Sequence, residues 1–171
     1  MKTLTELQNF IPGNGTVTWI GVRPARREPV VSVRSTRALI GLGLEGDRRT
    51  SGKHSPDADR LVTLIQEEHL PAIASLLMLD DLDPALLRRN IVVKGINLLA
   101  LKNQQFKIGD AILEGTGPCP PCSRMEEVLG AGGYNAMRGH GGITAKVIQE
   151  GEIDCGDDVG LMKAGFGNLS D

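Results

Sequence analysis

Aromatic residues are nearly missing from this chain: one Trp, one Tyr and three Phe among 171 residues, or 3%. The core must therefore come from Val, Ile, Leu and Ala, and the scarcity of rings argues against a surface that stacks nucleic-acid bases. A surplus of positive charge is missing too. Lys and Arg total 19 against 21 Asp and Glu, a net charge of −2, whereas a binder of nucleic-acid backbones carries a basic excess or stripe. No nucleic-acid partner is expected, and the clusters Arg23/Arg26/Arg27 and Arg48/Arg49 read as solvated surface. No run reaches the roughly 18 apolar residues of a membrane span, so no membrane partner is expected. Residues 1–10 lack the basic and apolar regions of a secretory signal. Cysteine is scarce as well: there are three, an odd number, in a chain long enough to bury a core without disulfide staples. That usage fits a reducing, cytoplasmic setting.

What is present reads as one domain, 1–171, with a core over about 16–162. Hydrophobic residues make up 40% and charged residues 23%, ordinary for a globular protein. Residues 3–10 suggest a helical turn stopped by Pro12 and Gly13. Strands are expected at 16–22, 30–33, 60–65, 91–94, 105–108, 111–114 and 143–149, with the last one at 157–162. The first two form a hairpin, Gly109-Asp110 makes a turn between two others, and Glu150-Gly151 ends the strand at 143–149. Helices are expected at 66–79, at 122–129, and briefly after Asp83-Pro84, where Asp is a natural N-cap and Pro a natural first helical residue. Residues 41–60 and the six-glycine stretch 130–142 read as irregular, and a long polar loop inside a domain is usually functional or disordered. Strands this short and numerous, without regularly interleaved helices, argue against a doubly wound parallel sheet. They favour a mainly β, barrel-like fold with a few helices.

The strongest chemical signal is Thr116-Gly-Pro-Cys-Pro-Pro-Cys122. Two consecutive prolines stiffen the loop between Cys119 and Cys122. The expected helix over 122–129 sets Cys122 near a helix N-terminus, which favours an anion and hence a thiolate, and Arg124 adds to this. Four readings stand side by side. Cysteines are often small buried hydrophobes. Half of a structural zinc site is another, although only Cys155, His54, His69 and His140 remain as further ligands. A thioredoxin-type pair requires a βαβ frame that the pattern lacks. The favoured reading is a single thiolate at Cys122, as metal ligand or sulfur carrier.

Three further clusters accompany it. In Gly46-Asp47-Arg48, with His54, Pro56 and Asp57 in the same loop, an Asp orients an arginine or histidine from behind and Arg48 grips a phosphate. The plainer alternative is a glycine turn followed by surface charge. Arg89 and Asn90 stand where a helix hands over to a strand, with helix capping as the simpler role. Gly139-His140-Gly141-Gly142 offers backbone amides to a phosphate, with a plain turn as the commoner explanation.

Taken in order, these pieces resemble the MOSC domain, named after the C-terminal domain of molybdenum cofactor sulfurase. The matching segments are Gly-Leu-Glu-Gly-Asp-Arg at 43–48, His54 with Pro56-Asp57, Arg89-Asn90-Ile-Val-Val, Phe106-Lys-Ile-Gly-Asp110, Thr116-Gly117 with Pro121-Cys122, and Gly151-Glu-Ile-Asp-Cys-Gly-Asp157. Two features depart from the pattern. Ser55 alone separates His54 from Pro56, where many bacterial members have two glycines. Cys119 is a thiol that many members lack, and it is a candidate resolving partner for an oxidised or persulfidated Cys122.

The resemblance implies a barrel related to the pyruvate kinase barrel domain, and Cys122 as the catalytic cysteine that ligates molybdenum. It implies the molybdenum cofactor (molybdopterin), gathered by Asp47, Arg48, His54, Arg89, Asn90, Cys119, Gly139, His140, Gly141 and Gly142. Enzymatic members reduce small N-hydroxylated bases and amidoximes with electrons from a partner protein. In the sulfurase, the domain is joined to a pyridoxal-phosphate cysteine desulfurase. This chain has no room for that part, so no pyridoxal phosphate is expected in it. Two roles follow: a molybdenum-dependent oxidoreductase served by an electron-donor protein, or a non-catalytic module carrying a persulfide on Cys122 for a separate desulfurase or molybdoenzyme.

Overall fold

The strands alternate between β-branched or leucine residues and polar ones, and that pleat decides the architecture. A computed structural model describes residues 1–8, 10–51 and 59–162. His54, Pro56 and Asp57 lie outside the described residues. Eleven strands occur among them: β1 Gly15–Val22, β2 Val31–Val33, β3 Ser35–Leu39, β4 Gly43–Leu44, β5 Val62–Gln66, β6 Ile91–Lys94, β7 Gln105–Ile108, β8 Ala111–Pro118, β9 Ile143–Gln149, β10 Gly151–Asp154 and β11 Asp158–Leu161. The helices are α1 Leu4–Gln8, α2 His69–Leu76, α3 Ser123–Leu129 and α4 Gly133–Met137, with 3-10 turns at Arg48–Ser51, Pro84–Leu87 and Leu98–Leu101.

Seven strands close a barrel in the order β11-β7-β8-β9-β5-β6-β1, sealed by antiparallel pairing of β1 with β11. Closure removes the unpaired edges that an open sheet exposes. One edge of β1 pairs with β6; at its other neighbours, Gly15 and Thr16 meet β11, and Ile20, Gly21 and Val22 meet β2, which completes the expected hairpin. Only β5 and β6 run parallel. A separate three-stranded sheet, β10-β3-β4, accompanies the barrel.

The pleat gives β5 and β6 two apolar faces, so both read as continuous hydrophobic runs. Leu64, Ile91 and Val93 point into the barrel core with Val17, Phe106 and Leu113. Ile65 and Val92, one step along, join Ile73, Leu87, Met125 and Met137 in a second cluster from the helices outside. That outer layer places the start of α3, and with it Cys122, against the barrel wall. The core is aliphatic as the composition requires, with Phe106 its one fully buried aromatic side chain among the described residues.

Several expectations shift in detail. The helix expected over 66–79 is shorter, because Gln66 ends β5 and the helix spans His69–Leu76. The helix expected after Asp83 is a single 3-10 turn. Asp83 does cap it, accepting from the Ala85 amide at 2.9 Å, but Arg88 turns left-handed at φ 57° and stops it. The strand expected at 111–114 runs on to Pro118. Helix α4 interrupts the glycine-rich stretch expected to be irregular, while β3, β4, β10 and the Leu98–Leu101 turn were not expected at all. Among the described residues no helix is long and apolar enough to cross a membrane.

Candidate functional site

Cys122 is exposed, Cys119 buried and Cys155 half-buried, and all three are free thiols. The loop holding the first two is anchored at both ends. At Cys119, the amide donates to the Gly142 carbonyl at 2.8 Å, fixing the loop to the start of β9. At Cys122, the backbone is extended (φ −126°, ψ 175°) and its carbonyl accepts from the Met125 amide at 2.9 Å, opening α3. Pro120 and Pro121 stiffen the span between.

Arg89 braces this loop from behind. Its Nη2 donates to the Cys119 carbonyl at 3.1 Å, its Nε to the Gly141 carbonyl at 2.7 Å, and its Nη1 to the Leu87 carbonyl at 3.1 Å. The residue is 7% exposed. Burial lowers the guanidinium's proton affinity, the sulfurs of Cys119 and Cys122 raise it, and the net direction is down. An arginine so placed still carries its charge at neutral pH.

A second buried arginine stands on a polar network. Arg23, at the end of β1, pairs with Asp47 at 2.8 Å, and Asp47 is 2% exposed. The same carboxylate oxygen accepts from the Arg23 amide at 3.2 Å and from Asn90 Nδ2 at 2.9 Å. The Asn90 side-chain oxygen accepts from Arg23 Nη2 at 3.1 Å, from the Thr63 amide at 3.1 Å and from the Thr63 hydroxyl at 3.0 Å. Burial pushes the Asp47 carboxyl up, but hydrogen bonding to Arg23, the Arg23 charge and the Arg49 and Arg23 amides outweigh it, so it sits below the usual carboxylate range. Asp47 and Asn90 thus hold an arginine from behind and are themselves too buried to meet a ligand.

These supports set up a cleft of about 280 Å³ beside Cys122. Arg23 and Arg89 line it from the barrel, Arg26 and Arg27 from the β1–β2 connection, and Arg48 from the turn after β4. Arg88 lines it from its left-handed corner and Arg124 from the first turn of α3, with Met125 the remaining lining residue. Among the described residues, the lining of this exposed thiol is therefore seven arginines and one methionine.

The glycine segment lies elsewhere. Gly139, Gly141 and Gly142 line a separate cavity of about 350 Å³ with Cys119, Pro120 and His69. Gly141 lies so close to the Cys119 carbonyl, and Gly142 to the Leu64 carbonyl, that a β-carbon at either would collide with main chain. His140 packs edge-on against His69, with ring centroids 5.0 Å apart. Among the described residues no three His, Cys, Asp or Glu side chains gather where one metal ion could be held.

The structure therefore brings Cys122, Arg48 and Arg89 into one cleft, puts Asp47 and Asn90 behind it, and sets Cys119, Gly139, Gly141 and Gly142 on the other side of Arg89. Sequence reasoning missed Arg23, Arg26, Arg27 and Arg88. The available signal was the recurrence of arginine at three segment ends, at 23–27, 48–49 and 88–89.

A family model settles the ancestry: the MOSC domain matches residues 48–160. The chain belongs to the MOSC domain family. Domains of that family bind molybdenum cofactor in general. This MOSC domain resembles solved structures over nearly its whole length. The YuaD protein of Bacillus subtilis is 17% identical, with a TM-score of 0.73 over 89% of this chain and 98% of that one. YiiM from Escherichia coli is 20% identical, with a TM-score of 0.68 over 94% of this chain and 73% of that one. YiiM from Geobacillus stearothermophilus is 18% identical, with a TM-score of 0.70 over 91% and 79%. At these identities the likeness speaks for the fold. Comparison with curated proteins finds no match.

His69 and the buried Asp47, both with depressed proton affinity, give this MOSC domain a stepped acid response. His69 is held below the usual imidazole value near 6.5 by burial and then by the charge of His140, against the His140 backbone and Glu68. A His whose folded proton affinity is depressed stabilises the fold fully above its unfolded value, and that contribution is lost as pH falls. Asp47 behaves likewise below its usual 3.8. Urea midpoints are expected to decline first below about pH 6.5 and again below about pH 4. His69→Gln removes the first step and leaves the second; a profile unchanged by that substitution refutes the assignment.

Proposed function

We propose that this MOSC domain binds the molybdenum cofactor in the arginine cleft, with Cys122 as thiolate ligand to the metal, and supports oxidoreductase chemistry on small N-hydroxylated substrates. The observation that carries the reading is one exposed thiol inside a cleft walled by seven arginines. The donor set suits the group: a thiolate is a soft ligand of the kind such a metal takes, and guanidinium forks match phosphate oxygens. When bound, the cofactor supplies two-electron transfer at its metal.

The chain's own residues supply placement. Arg48, Arg88 and Arg124 reach into the cleft to hold the terminal phosphate, while Arg23 and Arg89 are fixed on the wall by Asp47, Asn90 and main-chain carbonyls. Asp47 and Asn90 are positioning residues. Gly139, His140, Gly141, Gly142 and Cys119 act one layer back, by seating the loop and Arg89. His54 belongs to the proposed set through the family motif alone. An electron-donor protein completes the reaction, and a reducing cytoplasm keeps Cys122 free.

The test is metal and pterin analysis of the chain purified from a host that makes the cofactor. Molybdenum at near one per chain is expected in wild type and a loss of at least tenfold in Cys122→Ala. Absence from wild type, or equal retention by the variant, counts against the reading. A second reading, a persulfide carrier for a separate desulfurase, is favoured by the contrast between an exposed Cys122 and a buried Cys119. A sulfur adduct on Cys122 after incubation with a desulfurase and cysteine, in protein without molybdenum, would select it.

A further inference from the structure

Behind the Cys119–Cys122 loop lies a cavity that the cofactor reading leaves unused. It measures about 350 Å³ and shares no lining residue with the arginine cleft. That volume is within the roughly 300–1,000 Å³ of small-molecule sites. Its walls are mostly apolar and have no side chains that could fold in to fill it. Pro118, Pro120 and Pro121 line it with rigid rings, and Gly139, Gly141 and Gly142 with bare main chain. A β-carbon at Gly139 would have nothing within 4 Å. Ring faces and peptide planes present low relief, which a flat molecule matches better than a branched chain. The polar lining is short and rich in donors. Gln66 accepts from the Leu98 amide through Oε1 at 3.1 Å, which leaves its Nε2 hydrogens to give. Tyr134, 42% exposed, adds a hydroxyl. His69 adds an imidazole that burial and the charge of His140 keep neutral at neutral pH, and its buried Nδ1 has no hydrogen-bond partner among the described residues. The described lining residues include no Asp or Glu, and their one cation, Arg138, is exposed. A charged guest would give up its hydration to enter so apolar a space, and a small anion has the arginine cleft instead.

We infer that this cavity binds an uncharged, flat ring compound with hydrogen-bond acceptors along one edge, and that the bound ring stiffens the loop that carries Cys122. The loop is the shared wall. From the cleft side, Arg89 holds the carbonyls of Cys119 and Gly141 at 3.1 and 2.7 Å, and both of those residues line the cavity. The Cys119 amide also donates to the Gly142 carbonyl at 2.8 Å. A ring packed on Cys119, Pro120 and Gly141 restrains the same segment from the other side. It binds the segment in place and loses its wall when the segment opens, so its occupancy suppresses local opening. The ring is not the molecule that meets Cys122, which lines the arginine cleft. The site therefore works whether or not molybdenum is bound.

The probe is quinoxaline, a flat uncharged bicycle with two acceptor nitrogens. Naphthalene has the same shape without them, and 2-decalone is an uncharged bicycle with an acceptor but a puckered body. Amide chemical shifts of the full chain, at about pH 7.5 and so above the usual imidazole value, read site and affinity in one titration. One quinoxaline is expected per chain, with a Kd of about 1 mM or tighter and shifts centred on Leu99, Tyr134 and Gly139. Naphthalene is expected to bind about threefold to tenfold more weakly, the loss of one ordinary hydrogen bond, and 2-decalone more weakly as well. Raising salt tenfold should change the quinoxaline Kd by less than about twofold, because the guest carries no charge to screen. With free ligand at about five times the Kd, linkage slows exchange of the Cys119 amide about sixfold. Failure to bind at about 10 mM, or shifts centred on Arg26 and Arg48 in the cleft, overturns the inference. Naphthalene or 2-decalone binding as tightly as quinoxaline overturns it too, as does a bound ring that leaves Cys119 exchange unchanged. The molybdenum content of wild type and Cys122→Ala decides the cofactor reading separately and leaves these outcomes untouched.

Discussion

Asp47→Ala is expected to destabilise the fold by about 3–5 kcal/mol, the range for breaking a buried ion pair from one side. The substitution leaves the Arg23 guanidinium buried without its carboxylate and strips acceptors from Asn90 Nδ2 and from the Arg23 and Arg49 amides. For a domain whose total stability is about 5–15 kcal/mol, that approaches the whole. Asp47→Asn keeps an oxygen acceptor and loses the charge, so its cost should be smaller. Arg23→Met combined with Asp47→Leu removes both charges together, and should cost less than the two single changes summed, because neither partner is stranded. Urea midpoints with unchanged slopes measure all five variants, the two single changes included. An Asp47→Ala protein within about 1 kcal/mol of wild type would show that Arg23 has another counter-charge, and the proposed support of the cleft would fail.

That network marks where the sequence was legible and where it was not. Strands such as Ile91–Lys94 and Ile143–Gln149 announce themselves by runs of β-branched residues, and closure into a barrel follows from many short strands with little helix between them. Strands β3 and β10 carry Arg37, Glu152 and Asp154 on exposed positions, so their pattern resembles polar connection. Helix α4 hides among glycines because packing forces one of them: a β-carbon at Gly133 would meet the Met125 carbonyl at 2.6 Å. Cys122 was legible from its local frame of prolines and helix start. Arg23 was not, since a basic cluster near a strand end usually faces water. Its burial depends on Asp47 and Asn90, 24 and 67 residues away, and a pairing at that distance leaves no local mark. The same holds for the split between Cys122 and the glycine segment. The sequence reading put Cys122 on the metal and the 139–142 amides on the phosphate of one cofactor, and in the structure Arg89 lies between the two segments.

Gly142→Ala is expected to cost roughly 2–5 kcal/mol, more than the same change at Gly139. Both glycines have φ +80°, where a β-carbon costs about 1–2 kcal/mol. Their surroundings differ. Nothing lies within 4 Å of a β-carbon at Gly139, whereas at Gly142 it would strike the Leu64 carbonyl and crowd Ile65 on β5. Main chain in a central barrel strand cannot swing aside as a side chain does, so overpacking adds about 1–3 kcal/mol to the conformational cost. Relief requires the start of β9 to move away from β5, and the Gly142 carbonyl that accepts from Cys119 moves with it. Arg89, held by the neighbouring Gly141 carbonyl and by Cys119 itself, then loses two of its three anchors. The stability loss should therefore come with weakened anion binding at Cys122, although Gly142 lines the opposite cavity. Urea unfolding of Gly139→Ala and Gly142→Ala, read beside the molybdenum content of whatever Gly142→Ala protein remains folded, tests both links. Equal costs at the two positions would remove the collision as the cause. A folded Gly142→Ala chain with wild-type molybdenum content would show that the Cys119–Gly142 contact does not seat the cleft.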